Sequence, residues 1–357
     1  MAEASVKSSG RLVASLLGGS WRARPAVPGP SLTAAELERI AQLILASGAG
    51  ALGWWRIRHT ELGIAPAAHE LRQAYRLSTL QAALHQRTIE QAFALLRAAG
   101  VEPIMVKGWA VARLYPEVGL RPWGDVDLCV RPHQFADAEV ALTSLGKMRY
   151  EVDLHRGFEK FGGGSVDGCY DRSQLVKLGG TQVRVLCAED HLRALSIHLL
   201  REGAWRPLWL CDVAAAVEAR GADFDWGICL TGNRRHADWI LCAVRAAHEL
   251  LGANIDDTPA ADRRKPLPRW LLPAILKEWE SRTPSMRQRH RAPMLSFLRY
   301  PDGILKALSH RWPNPIEATV SMRAPFNRLP RLPLQFSNYL VRTAKFAAQV
   351  PRLLRGQ

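Results

Sequence analysis

The chain has 357 residues, 48% hydrophobic and 23% charged, proportions that suit a folded protein with a sizeable core and exclude wholesale disorder. No run of about 18 apolar residues occurs, which argues against a membrane span, and the six cysteines are scattered without the short spacings of a zinc motif. Lys and Arg outnumber Asp and Glu by 48 to 33, a net charge of +15, so the protein attracts phosphate as nucleotide, nucleic acid or anionic lipid.

Residues 1–30 are rich in Ser, Gly, Arg and Pro and lack a secretory apolar segment, which predicts a disordered lead-in to a cytoplasmic protein with reduced thiols. Residues 31–99 read as an N-terminal helical region. Thr33 and Glu36 fit a capping box ahead of a stripe formed by Leu37, Ile40, Leu43 and Ile44. A second helix covers roughly 66–98, where breakers are almost absent, and Gly100 ends it.

Residues 100–190 read as the core. VEPIMVKG is a short strand closed by glycine, WAVARLYPEVG a helix stopped near Pro116, and DVDLCV a strand ended by Arg131 and Pro132. FADAEVALTSLG supplies a further helix, RYEVDLHRGF a third strand and TQVRVLC a fourth. This order predicts an α/β (α+β) fold: a mixed sheet with flanking helices, extended by helical regions on both sides. Residues 191–300 read as the C-terminal helical region, and 301–357 as a basic tail in which, from Lys306 on, Glu317 is the only acid. The SNYLVRTAKFAAQVPRLLRG segment of that tail is an amphipathic helix candidate. It suits an anionic membrane surface or a partner protein, or packing on the protein's own body. No helix-turn-helix, zinc or RNA-recognition signature supports specific nucleic-acid binding.

Within RPWGDVDLCV, strand alternation gives Asp125 and Asp127 one face. Two carboxylates that close repel unless a cation lies between them, and Mg²⁺ is commonly held by one or two carboxylates together with substrate phosphates. Upstream, Gly108 between an apolar strand and a helix presents backbone N–H groups suited to phosphate, and Lys107 adds a point charge. Arg121 can clamp a phosphate oxygen or a local carboxylate. Asp212, inside a helix, reads as an orienting partner or a cap.

The run VKGWAVARLYPEVGLRPWGDVDLCV resembles the nucleotidyltransferase superfamily, and more narrowly the bacterial "uncharacterised nucleotidyltransferase" family. Lys107, Gly108, Tyr115, Pro116, Arg121, Gly124, Asp125 and Asp127 carry that resemblance. It continues through VDLH and, more loosely, through the helical segments with His198, Trp209 and Asp212. The resemblance implies Asp125, Asp127 and Asp153 as catalytic and metal-holding residues, with Glu151 in reserve for the third carboxylate. It implies Lys107, Gly108, Arg121 and His155 at the nucleotide. The cofactors it implies are Mg²⁺ or Mn²⁺ and an NTP, with ATP the default, and the reaction is transfer of a nucleoside monophosphate to a small-molecule, glycan or peptide-derived acceptor. Many nucleotidyltransferases place serine after the turn glycine, where this chain has Trp109. That departure keeps a second reading open: a non-catalytic nucleotide-binding or scaffold subunit of a biosynthetic or surface-polymer system.

Overall fold

The computed structural model describes residues 7–24, 30–159, 162, 165–262, 264, 266–280 and 312–354. Part of the expected disordered lead-in is a helix, α1 (Ser9–Leu17). Ser8 caps it by accepting from the Arg11 backbone N–H, and Leu12, Val13, Leu16 and Leu17 are buried in the core. The Gly, Ser and Arg content of this stretch masked a short apolar face at helical spacing; residues 1–6 and 25–29 lie outside the described residues. Helix α2 (Ala34–Ala46) starts at the predicted capping box, with the Thr33 hydroxyl accepting from Glu36 N–H and the Glu36 carboxylate accepting from Thr33 N–H. After α3 (Gly50–Ile57), α4 (Pro66–Ala98) runs the whole predicted length, with proline at its first position.

The sheet then forms in the order β3-β2-β1-β5-β4. Strand β1 (Ile104–Met105) is shorter than expected, and the helix after Gly108 is a single turn, α5 (Trp109–Ala112). Strand β2 (Val126–Val130) is followed by α6 (Phe135–Leu142) and by β3 (Val152–Arg156). Helix α7 (Val166–Arg172) precedes a hairpin of β4 (Gln174–Leu178) and β5 (Thr181–Val185) turned through Gly179 and Gly180. β2 runs antiparallel to β1 and parallel to β3, while β1 and β5 are parallel, so the sheet is mixed. One face packs Val126, Leu128 and Val130 on Ile89, Phe93 and Leu96 of α4. The other face buries Ile104, Val106 and Cys129 with Tyr170 and Ala194.

Helices α8 (Ala188–Arg201), α9 (Pro207–Glu218), α10 (Trp226–Cys229), α11 (Arg234–Leu251) and α12 (Leu271–Trp279) build a larger core that also takes in α1 to α3. Residues 281–311, which span the end of the predicted helical region and the start of the basic tail, lie outside the described residues. The tail then forms α13 (Pro315–Ser321) and α14 (Leu332–Leu354). α14 packs on α13, where Gln335 Nε2 donates to the Pro313 carbonyl and Arg342 pairs with Glu317 at 2.9 Å, and α13 in turn lies on α8, with Asn314 Nδ2 donating to the Gly203 carbonyl at 2.6 Å. Leu332, Phe336 and Leu340 stay exposed. Among the described residues no helix is long and apolar enough to cross a membrane.

Candidate active site

Alternation and register assemble the site. β2 turns Val126, Leu128 and Val130 toward α4, and therefore Asp127 and Cys129 toward the opposite face. β3 is parallel to β2, with Asp127 opposite Asp153 and Cys129 opposite His155. Asp153 and His155, two residues apart, thus join Asp127 on one face. His155 Nε2 lies 3.0 Å from Asp127 Oδ1 and 3.3 Å from Asp153 Oδ2. Lys107 Nζ approaches the same Asp127 oxygen at 2.7 Å.

Asp127 is buried, whereas the Asp153 side chain is 53% exposed, so the cluster opens outward. Burial pushes the Asp127 carboxyl up, but the hydrogen bond to His155 and the Lys107 charge outweigh it and hold the group below its ordinary value. One ligand atom from each of Asp127, Asp153 and His155 lies within 4.8 Å of the others. Two carboxylates with an imidazole form a donor set that fits a divalent cation such as Mn²⁺, and the carboxylates alone suit Mg²⁺.

Asp125 stands outside that group. It precedes β2 and is exposed at the rim. Its carboxyl is pushed up, first by desolvation and then by the Asp127 charge, with Lys107 pulling the other way. Glu151 turns to α4 instead, where its Oε2 accepts from the Thr88 hydroxyl at 2.8 Å and lies 3.5 Å from His85 Nδ1. Gly108 sits beneath the loop that carries Asp125: its φ is +62°, and a Cβ there would lie 3.1 Å from the Asp125 carbonyl oxygen. Conformation and close approach both demand glycine at this turn.

Arg121 is committed to a carboxylate of the protein. Its Nε and Nη2 donate to the two Asp212 oxygens at 3.1 and 2.8 Å, and the Tyr115 hydroxyl donates to Asp212 Oδ1 at 2.8 Å. All three residues are buried. Burial works against the Arg121 charge, but Asp212 more than offsets it and the guanidinium pKa is raised. Of the two uses foreseen for Arg121, this geometry is that of the local carboxylate partner, and Asp212 acts as an orienting residue. The contact ties α9 to the loop four residues before Asp125. α8 meets α9 through His198, whose ring packs on Trp209 with centroids 4.6 Å apart; burial and then the Lys107 charge push that histidine down to about 3. Arg206, which sequence reasoning did not single out, lies beside them with its guanidinium 5.8 Å from the Trp209 ring; no local motif marks it.

A family model described as an uncharacterised nucleotidyltransferase matches residues 33–167 and 147–252. The two stretches together span more than half of the chain and include every residue of this cluster. Neither the curated proteins nor the solved structures give a match. With its mixed sheet, its glycine turn and its Asp127 strand inside the matched region, the chain belongs to the uncharacterised nucleotidyltransferase family.

Proposed function

We propose that the protein transfers a nucleoside monophosphate from an NTP, with ATP the default donor, to a hydroxyl-bearing acceptor and releases pyrophosphate. The observation that carries this reading is the pairing of Asp127 with Asp153 across β2 and β3, with His155 and Lys107 on the same face. Asp127, Asp153 and His155 would hold a divalent cation, with Asp125 at the rim toward the nucleotide. When bound, that cation supplies charge compensation between the carboxylates and the phosphates.

The chain's own groups do the rest. Lys107, whose ammonium faces Asp127, provides a positive charge for the phosphates. Gly108 lets the backbone approach them without a Cβ in the way. Asp153, the more exposed carboxylate, takes the proton from the acceptor hydroxyl. The acceptor oxygen then bonds to the α-phosphorus as the bond from that phosphorus to the bridging oxygen breaks, and pyrophosphate departs.

With α-labelled ATP and Mg²⁺ or Mn²⁺, the expected result is pyrophosphate release that disappears in the Asp125→Asn, Asp127→Asn double variant while its circular dichroism is unchanged. Undiminished release in that variant would sink the mechanism. One observation favours the non-catalytic alternative, since the Lys107 ammonium already neutralises Asp127. That reading predicts nucleotide binding that is indifferent to divalent cations.

A further inference from the structure

The commitment of Arg121 to Asp212 leaves the role of a phosphate clamp to another side chain. Arg206 stands at the entry to α9 as its N-terminal cap residue, six residues before Asp212. Its Nε donates to the Ser47 carbonyl at 2.6 Å. Its guanidinium lies against Gly48, where φ is +73° and an added Cβ would collide with it. Trp209 flanks it on the α9 side. These contacts fix where the guanidinium sits without supplying a counter-charge: among the described residues Arg206 has no ion pair.

The charges around it are those of the active site. Burial, and next the neighbouring Arg121, push the Arg206 guanidinium down to about 10, while Asp212 and Asp125 pull it the other way. Asp212 is already saturated by Arg121 and Tyr115, and Asp125 is at the rim. A partly buried cation without an anion carries an unrecovered desolvation cost, and a phosphate that accepts its fork of N–H groups would offset it. Arg206 and Lys107 both act on the buried His198 ring, and two cations bordering one space suit a chain of phosphates better than a single carboxylate does.

We propose that Arg206 is a substrate-binding residue that holds the β- and γ-phosphates of the nucleotide, the part that leaves as pyrophosphate. This rests on the nucleotidyl-transfer reading of the site and names the half of the donor that the α9 wall recognises. The alternative for Arg206 is a purely structural brace to Ser47.

Binding of inorganic tripolyphosphate with Mg²⁺ to the full chain, measured by calorimetry, separates the two. Arg206→Gln is expected to weaken tripolyphosphate at least tenfold with little change in the thermal midpoint. Arg206→Lys, which keeps the charge but loses the fork, is expected to weaken it about threefold, and it decides alone if the Gln variant fails to fold. Wild-type affinity in both variants, or no tripolyphosphate binding by the wild type, would overturn the proposal. Tripolyphosphate has no transferable nucleotide, so the outcome does not depend on turnover. If the transfer reading alone is wrong, ATP yields no pyrophosphate while the Arg206-dependent binding persists.

Discussion

Two ionic clusters lie close together in this protein, and they differ in one respect. In the first, Arg121, Asp212 and Tyr115 close on one another: both carboxylate oxygens are used, and the charged side chains are 7% and 1% exposed. In the second, Lys107, Asp127, His155 and Asp153 form a gradient from a buried carboxylate to a half-exposed one. The closed cluster has no capacity left for a ligand and serves to fix α9 against the loop before β2. The open one keeps lone pairs directed at accessible space. Similar residue types therefore brace the fold in one place and offer chemistry in the other, and what separates them is how many of their bonds are already made.

The largest expected effect breaks the open cluster. Asp127→Asn is expected to lower pyrophosphate release on the order of 10³-fold, read in a single-turnover assay, with a loss of urea stability smaller than the closed cluster suffers on losing Asp212. A loss of stability as large as the loss of activity would show that this cluster, too, is mainly a brace. The closed cluster should behave in the opposite way. Asp212→Ala leaves Arg121 buried without its partner and is expected to cost about 3–5 kcal/mol in urea unfolding. Arg121→Met combined with Asp212→Leu should cost less than that single change, because no uncompensated charge is left buried.

Smaller effects sharpen the comparison. Gly108→Ala places a side chain at φ +62°, 3.1 Å from the Asp125 carbonyl, and is expected to cost about 1–3 kcal/mol. Nucleotide affinity should fall with it, measured on the fraction that remains folded. The last effect is a pH dependence, graded with conditions and not with a substitution. Burial pushes His191 and His198 each from 6.5 down to about 3. Between those values the unfolded chain binds protons that the fold refuses, so this contribution is complete above pH 6.5 and is lost as pH falls toward 3. The slope is at most about 1.4 kcal/mol per pH unit for each histidine. Urea titrations at pH 7 and pH 5 measure it, and His191→Asn should flatten it.

What was legible in the sequence was mainly local. The capping box at Thr33 and Glu36, the unbroken α4 and the DVDLCV strand depend on neighbours a few residues apart, and they form where predicted. The strand β4 is absent from the sequence expectations, although the Gly179–Gly180 turn is a hairpin signal for it. The Gly, Ser and Arg content around α1 hides apolar residues that recur at helical spacing. The placement of Asp153 and His155 beside Asp127 follows from a parallel register that strand alternation alone does not fix. Asp125 lies just before β2, so strand alternation does not by itself set its side chain on the Asp127 face. The partners of Arg121 and Arg206 are 91 and 159 residues away in sequence, and no local pattern encodes such contacts.

In the proposed mechanism Asp127 and its neighbours on β3 hold the cation that a nucleotide needs. Electron paramagnetic resonance of Mn²⁺, titrated into the full chain with a non-hydrolysable ATP analogue, tests it most directly. A bound Mn²⁺ signal is expected in the wild type, weaker in Asp153→Asn and absent in Asp127→Asn. Mn²⁺ bound equally well by the Asp127→Asn protein would contradict it.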